Sequence, residues 1–315
     1  MNKLLINAGK LARGAPFLLQ VAWRAAYGRE FAFGFNVSDR CPIGCDCYWR
    51  AQARVKEMAD DEAVDFFHQM RRRGLVHVTL VGGEPYVRPD LLAKLTPIMP
   101  ANWLVTSGTT PLRRFPNTTH FISVDGKDAE THDAVRHSEG LFNRIIKNLD
   151  RARRLGNFPA FIHCVLNSMN HIQIGPVLDF WRKNGLADGV IFSTSTPIKG
   201  AIRDKHLRLN RDQRVWIVEE LLRQKVEFGR FLKMSPSMIQ SLHPTVTAKL
   251  TPKRCGTARL VASFDASGSR MRQCILSDQA DCSQCGCVIT TIVDTLVQPI
   301  PDLFTFGVLV DTMTI

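Results

Sequence analysis

Nine cysteines stand at positions 41, 45, 47, 164, 255, 274, 282, 285 and 287, forming one group near the N-terminus, one near the C-terminus and a singleton. An odd number of thiols in a long chain argues against a secreted disulfide framework, and clustered thiols suit soft metals in a reducing compartment. The tightest group, Cys41-Pro-Ile-Gly-Cys45-Asp-Cys47, places three thiolates in one loop. Three thiolates fit an iron–sulfur cluster that leaves one iron open to a non-protein ligand. The alternative is a structural zinc site, which needs a fourth ligand that no adjacent His or Cys supplies.

A second motif, Val81-Gly82-Gly83-Glu84-Pro85, follows an apolar run. Paired glycines let a ligand approach the backbone, and a carboxylate there can accept a hydrogen bond from an ammonium group. Such a turn by itself also simply ends strands. In the C-terminal group, Cys255 and Cys274 flank a run with an Asp265-Ala-Ser-Gly268 turn, which predicts a hairpin bringing the two together. With Cys282 and Cys285 they make four thiolates, enough for a fully ligated cluster or for a Cys₄ zinc site. Cys287 competes with Cys285 for the fourth place. Cys164 lies in an apolar run, where a lone Cys is usually a small core hydrophobe; turned inward, it would put a thiol inside the barrel. Its neighbour His163 must then point the other way.

The elements that would position these groups alternate regularly. Strands are expected at 30–38, 75–81, 102–106, 119–124, 159–166 and 189–194, and helices at 57–73, 88–98, 141–155, 174–185 and 210–226. Six apolar strands alternating with helices imply βαβ units and a parallel sheet, and six units are too few for a closed eight-stranded barrel. The expected fold is therefore a partial (βα)6 TIM-like barrel with a small Cys-rich appendage. Both motifs follow strands, at the barrel face where active sites are built. The expected organisation is a basic amphipathic segment at 1–29, the barrel at 30–240, a Cys-rich domain at 241–290 and an apolar tail at 291–315.

With both motifs placed, the chain resembles the radical S-adenosylmethionine (SAM) superfamily. The likeness runs from about residue 30 to 200, through Thr106-Ser107-Gly108, His120 to Gly126 and Thr131 to Arg136. Residues 119–170 are similar to adenosyl-hopane synthase and related lipid-modifying members, a likeness that includes Cys164 in the fifth strand and implies that this thiol, if turned inward, is a hydrogen-atom donor to a substrate radical. The resemblance implies a [4Fe-4S] cluster on Cys41, Cys45 and Cys47, and SAM bound by Gly82, Gly83 and Glu84 at its ammonium. Ser107, Ser123 and Asp125 would lie near its polar groups and Arg136 near its carboxylate. It further implies reductive cleavage to a 5′-deoxyadenosyl radical, with electrons from a low-potential donor of flavodoxin or ferredoxin type. The C-terminal thiols resemble SPASM or twitch domains, which implies one auxiliary [4Fe-4S] cluster on Cys255, Cys274, Cys282 and Cys285. The spacing departs from the family: Asp46 alone separates the second and third cysteines, and Tyr48 occupies the usual third place. An extended Cys-x-Cys spans roughly 6–7 Å between Cα atoms, enough to reach two irons of one cube.

A formal charge of +12 admits anionic substrates, acidic partners or a membrane surface, whereas no aromatic–basic interleaving suggests nucleic acid. Lys3, Lys10, Arg13, Arg24 and Arg29 interleave with Leu4, Leu5, Leu11, Phe17, Leu18, Val21 and Trp23. That pattern fits a helix lying on anionic lipid or one packing its apolar face on the barrel. Neither a signal peptide nor a membrane span is expected, which places the chain in the cytoplasm, with peripheral contact at the inner membrane surface left open. A lipid or other small molecule is the expected substrate. The rivals are a peptide, as for maturases of ribosomally made peptides, and a non-catalytic iron–sulfur or zinc protein with a degenerate SAM site.

Overall fold

The computed structural model describes residues 8–46, 54–156, 158–199, 204–298 and 302–313. Seven strands form one open, wholly parallel sheet: β1 (Ala32–Ser38), β2 (His77–Gly82), β3 (Ala101–Thr106), β4 (Thr118–Ser123), β5 (Ala160–Leu166), β6 (Val190–Thr194) and β7 (Val261–Phe264), in the order β6-β5-β4-β3-β2-β1-β7. Every residue of β1, β4, β6 and β7 is buried, the signature of parallel strands covered on both faces.

The helices that follow the strands wrap the outside: α2 (Asp60–Arg72), α3 (Pro89–Leu95), α4 (Ala129–Arg136), α5 (Leu141–Arg154), α6 (Ile174–Asn184) and α7 (Arg211–Phe228). Helix α2 begins with Asp60, Asp61 and Glu62 and ends with Arg71 and Arg72, matching the helix dipole at both ends. Its Phe66 and Phe67 meet Phe33 and Phe35 of β1 and Phe264 of β7, with ring centroids 4.9–6.3 Å apart. Such aromatic contacts contribute about 0.5–1.5 kcal/mol each beyond their area.

The hairpin expected around Asp265 is a tight antiparallel turn, with Phe264 bridging Arg270 and Met271 N donating to Ser263 O at 2.8 Å, and Cys255 and Cys274 line one pocket; its first arm is also β7, which pairs parallel with β1 from Ala32↔Val261 to Phe35↔Phe264. A seventh strand thus grows out of the Cys-rich region, because Val261 to Phe264 are apolar enough to be buried on both faces. The apolar tail is helical: α9 (Val288–Leu296) and α10 (Leu303–Asp311), which pack on each other and on α8 (Pro236–Ser241).

The barrel is sealed at one end only. A ladder of inward rings, His77, Trp103, Phe121 and Phe161, crosses the floor with successive centroids 4.7, 5.3 and 5.7 Å apart. Below it, Trp103 Nε1 donates to the carbonyl of Thr312, just past α10, at 3.0 Å. Lys233 lies over the Phe161 ring and pairs with Asp311. The floor therefore closes with the chain's C-terminal helix, leaving the C-terminal ends of the strands as the open side.

Candidate functional site

At that open side lies a cavity of about 790 Å³, bounded by strand ends, by the first Cys loop and by residues 275–292. Its inward strand positions alternate: Thr79 and Val81, Trp103 and Val105, Phe121 and Ser123, His163 and Val165, Ile191 and Ser193. Ile275, Leu276, Val288, Ile289 and Ile292 complete a mostly apolar wall.

Cys41 and Cys45 line this cavity together with Gly82, Gly83, Ser107, Ser123, Asp125 and Arg136. Cys47 and Tyr48 lie outside the described residues. The start of the Cys loop is rigidly held. Glu57 accepts from Ser38 Oγ at 2.6 Å, from Asp39 N at 3.1 Å and from Arg40 Nη2 at 3.2 Å. Arg88 donates to the carbonyls of Val37 and Met58 and to Asp60, at 3.1, 2.8 and 2.8 Å.

The paired glycines serve this loop directly. A Cβ on Gly82 would lie 2.5 Å from the Ser38 carbonyl oxygen, and one on Gly83 only 2.4 Å from that of Arg40. Gly82 also holds φ +124°, which L side chains rarely adopt. Gly83 N donates to Ser38 O at 2.8 Å and Glu84 N to Arg40 O at 2.9 Å. What approaches the glycines is therefore the chain's own backbone, locking the exit of β1 to the exit of β2.

Glu84 departs from the ammonium-binding expectation. Its side chain is 1% exposed and does not line the cavity. Oε1 accepts from Tyr86 N at 3.0 Å and Thr106 Oγ1 at 2.7 Å; Oε2 accepts from Ser107 N at 2.8 Å and from Ser107 Oγ. Four donors satisfy this carboxylate, which ties the β2 exit to the β3 exit. Ser107 is thereby aimed by Glu84 while still lining the cavity.

The buried Asp125 pairs with the partly buried Arg136, Arg136 Nε to Asp125 Oδ2 at 2.6 Å. Asp125 Oδ1 accepts from Val165 N at 2.8 Å, its carbonyl accepts from Asn170 Nδ2 at 2.9 Å, and its own N–H donates to His132 Nδ1 at 2.9 Å. His132 must then be neutral with its proton on Nε2, and burial, aided by the Arg136 charge, drops its pKa to about 4. Arg136 sits in α4, an element the periodicity did not announce; Asp128 caps it by accepting from Thr131 N at 3.0 Å.

The inward residue of β5 is His163, whereas Cys164 is fully buried on the opposite face and does not line the cavity. Burial raises the Cys164 thiol well above its ordinary range. The hydrogen-atom-donor role expected for Cys164 does not fit this placement, because strand alternation turns it toward the helices. His163 Nε2 instead meets Ser193 Oγ at 2.8 Å, and Ser193 Oγ accepts from Val288 N at 3.2 Å. Burial lowers the pKa of His163 to about 4. The polar pair His163–Ser193 was missed in the sequence; alternation with Val165 was the signal that could have found it.

The five C-terminal cysteines surround a second, small pocket of about 60 Å³, and Cys287 lines both cavities. Thr290 Oγ1 lies 3.9 Å from the sulfurs of both Cys255 and Cys285. The segment is pinned to β6: Thr194 N donates to Gly286 O at 3.0 Å, Gly286 N to Thr196 Oγ1 at 2.9 Å, and Arg214 to the carbonyls of Gln284 and Cys285 at 3.0 and 3.3 Å. Gly286 is obligatory there, since a Cβ would overlap Thr194. Burial raises all five thiols, Cys285 to about 12, and neighbouring sulfurs raise Cys274 and Cys285 further. A soft, all-thiol donor set around one pocket fits an iron–sulfur cluster. No three of these sulfurs come within 4.8 Å of one another, whereas one zinc ion would hold its thiolates roughly 3.8 Å apart.

No family model matches the chain. Among curated proteins it is 30% identical over 158 residues to an AdoMet-dependent heme synthase of Methanosarcina barkeri, covering 46% of this chain and 45% of that protein. A probable GTP 3′,8-cyclase of Methanocella arvoryzae is 24% identical over 179 residues, covering 53% of this chain and 58% of the relative. The chain thus spans about half the length of these relatives. Among solved structures, Streptococcus suis SuiB bound to precursor peptide SuiA superposes with a TM-score of 0.63 at 13% identity, covering 96% of this chain and 74% of SuiB. Native anSMEcpe with bound AdoMet gives 0.61 at 14% identity, covering 87% of this chain and 80% of the other. At such identities these two superpositions establish the shared fold.

Proposed function

We propose that this chain, which belongs to the radical SAM superfamily, reductively cleaves SAM and modifies a lipid or other largely apolar small molecule inside its barrel. The observation that carries the reading is the convergence of Cys41, Cys45, Gly82, Gly83, Ser107, Asp125 and Arg136 on one cavity with an apolar wall. Cys41, Cys45 and, by its sequence position, Cys47 would hold a [4Fe-4S] cluster; Cys255, Cys274, Cys282 and Cys285 would hold an auxiliary one, with Cys287 the alternative to Cys285. When bound, the first cluster supplies the electron for cleavage of SAM, drawn from a flavodoxin- or ferredoxin-like donor.

The chain's own groups bind and orient. Arg136, itself fixed by Asp125, is the cation for a carboxylate such as that of SAM. Backbone at Gly82 and Gly83, rather than the satisfied Glu84 carboxylate, meets the ammonium. The sealed aromatic floor excludes water from the substrate end. A cavity of about 790 Å³ suits a drug-sized or lipid-like ligand, ordinary pockets being roughly 300–1,000 Å³.

Delivery from a membrane surface fits helix α1 (Ala8–Ala26). Its inner face, Phe17, Leu18 and Val21, joins the core, yet Leu19, Trp23 and Tyr27 are 70%, 50% and 68% exposed on the other side. Both alternatives read from the sequence thus find support in one helix: it packs on the barrel and presents an interfacial Leu-Trp-Tyr stripe. No described helix is long and apolar enough to cross a membrane.

The test is anaerobic reconstitution with iron and sulfide, then dithionite and SAM. The reading expects 5′-deoxyadenosine that disappears in Cys45→Ala; a fully loaded protein that releases none would overturn it in favour of a non-catalytic iron–sulfur protein.

A further inference from the structure

Apart from the thiols, one group of metal-ligating side chains converges among the described residues: Asp46, His137 and His206, whose ligand atoms all lie within 4.8 Å of one another. They come from three segments at the cavity mouth. Asp46 belongs to the first Cys loop and lines the cavity. His137 ends α4 in a left-handed conformation, φ +49°. His206 sits in a single 3₁₀ turn after β6, whose carbonyls at His206 and Leu207 accept from Ser168.

One of the three spacings is already that of a coordination sphere, and the third ligand atom lies within 4.8 Å of both others. Asp46 Oδ2 and His137 Nε2 are 3.0 Å apart. Two donors each about 2.0–2.1 Å from a metal, at tetrahedral or octahedral angles, lie roughly 2.9–3.4 Å apart. A hydrogen bond alone would account for this pair but not for a second imidazole, whose ring centroid lies 6.1 Å from that of His137. Two imidazoles with one carboxylate form a borderline N/O donor set, unlike the soft thiol groups, and leave positions for water.

We infer that Asp46, His137 and His206 bind a divalent transition ion, zinc or ferrous iron in character, that clasps the first Cys loop to the two opposing mouth segments. Loading the ion replaces the Asp46–His137 hydrogen bond with two metal–ligand bonds, His137 binding through Nε2 as a neutral imidazole with its proton on Nδ1; no redox change is involved. The ion bridges three segments and so braces the loop carrying Cys45 at the cavity mouth, in addition to the contacts that Glu57 and Arg88 make at the loop's start.

The site does not depend on SAM chemistry, and its test reads the ion itself. The reconstituted full chain receives one equivalent of zinc and is examined by zinc K-edge X-ray absorption, with affinity measured by competition against a chromophoric chelator. The expected spectrum has a nitrogen/oxygen shell near 2.0 Å with imidazole scattering. His206→Ala, at an exposed position, and His137→Asn, where Asn tolerates the left-handed backbone, each weaken zinc at least roughly tenfold, about 1.4 kcal/mol, with unchanged melting in the absence of zinc. A sulfur-only shell near 2.3 Å, no retained zinc, or equal affinity in all three proteins overturns the inference. Loss of SAM cleavage alone would leave the zinc result standing.

Discussion

Gly83→Ala is the sharpest perturbation of the joint between the two motifs. The added methyl would sit 2.4 Å from the Arg40 carbonyl oxygen, 2.7 Å from its carbon and 3.2 Å from Cys41 Cβ. None of these belongs to a flexible side chain. Arg40 O is fixed by Glu84 N at 2.9 Å, and the loop start is fixed by Glu57 and Arg88. Relief requires the Cys41 end of the loop to move outward by about 1 Å, at an overpacking cost of roughly 1–3 kcal/mol. In a chain of this size that lowers the melting midpoint by only a few degrees, on the order of 2–4 °C per kcal/mol or less. The matched control is Gly185→Ala, where φ is +69° but nothing lies within 4 Å of the new methyl, so the cost is backbone strain alone, about 1–2 kcal/mol. Both variants should melt earlier by similar amounts. Only Gly83→Ala should lose the iron of the first cluster, retaining the auxiliary complement of about four irons per chain. Iron and sulfide assays on anaerobically reconstituted protein decide it. Full iron loading of Gly83→Ala, with SAM binding as in the parent, would refute the claim that these glycines exist to seat the Cys loop.

Other outcomes follow from the same geometry. Glu84→Gln turns an amide donor toward groups that already donate, so urea unfolding should show a loss of about 1–3 kcal/mol; an unchanged midpoint would contradict the four-donor account. Cys164→Ala should leave 5′-deoxyadenosine release intact, since the thiol faces away from the cavity, and abolished release would return Cys164 to the site. The buried imidazoles His77 and His120 have pKa values lowered to about 3 by burial, and His163 to about 4. Their folded pKa values lie below the unfolded value, so the stability they allow is complete above about pH 6.5 and is lost as pH falls toward 4. His120→Gln should reduce that slope by up to about 1.4 kcal/mol per pH unit in urea titrations between pH 6 and 4. Parallel slopes would contradict a neutral His120. Finally, Leu19→Asp with Trp23→Asp should weaken co-sedimentation with phosphatidylglycerol vesicles roughly tenfold or more; binding equal to that of the parent chain would remove α1 as the contact.

The barrel was legible because each βα unit pairs a short apolar run with an amphipathic helix whose ends carry charges of the right sign, as in α2. The two motifs were legible for the same reason, since both follow strands and parallel strands end together. Side-chain direction was not. In β5 alternation sets His163 and Val165 opposite Cys164, but Phe161-Ile162-His163-Cys164-Val165 is apolar on either face, so the sequence does not decide which set lines the cavity; in the structure it is His163 and Val165. An acidic residue after two glycines looks free to meet a ligand, whereas the donors that the structure gives Glu84, from Tyr86, Thr106 and Ser107, are supplied by backbone turns and a neighbouring strand and could not be read from the motif. The short strand at 260–264 was legible but its parallel partner β1 was not, and the sealing of the floor by Thr312 depends on a contact across 209 residues.

Central to this account is an iron left open to SAM where Cys41 and Cys45 face the cavity. Low-temperature electron paramagnetic resonance of the dithionite-reduced protein tests it most directly, using the triple variant Cys255→Ala, Cys274→Ala and Cys282→Ala to silence the auxiliary site. The account predicts a reduced-cluster signal whose shape changes on adding SAM, followed by 5′-deoxyadenosine as the signal decays. A reduced signal indifferent to SAM, in protein carrying a full complement of iron, would contradict it.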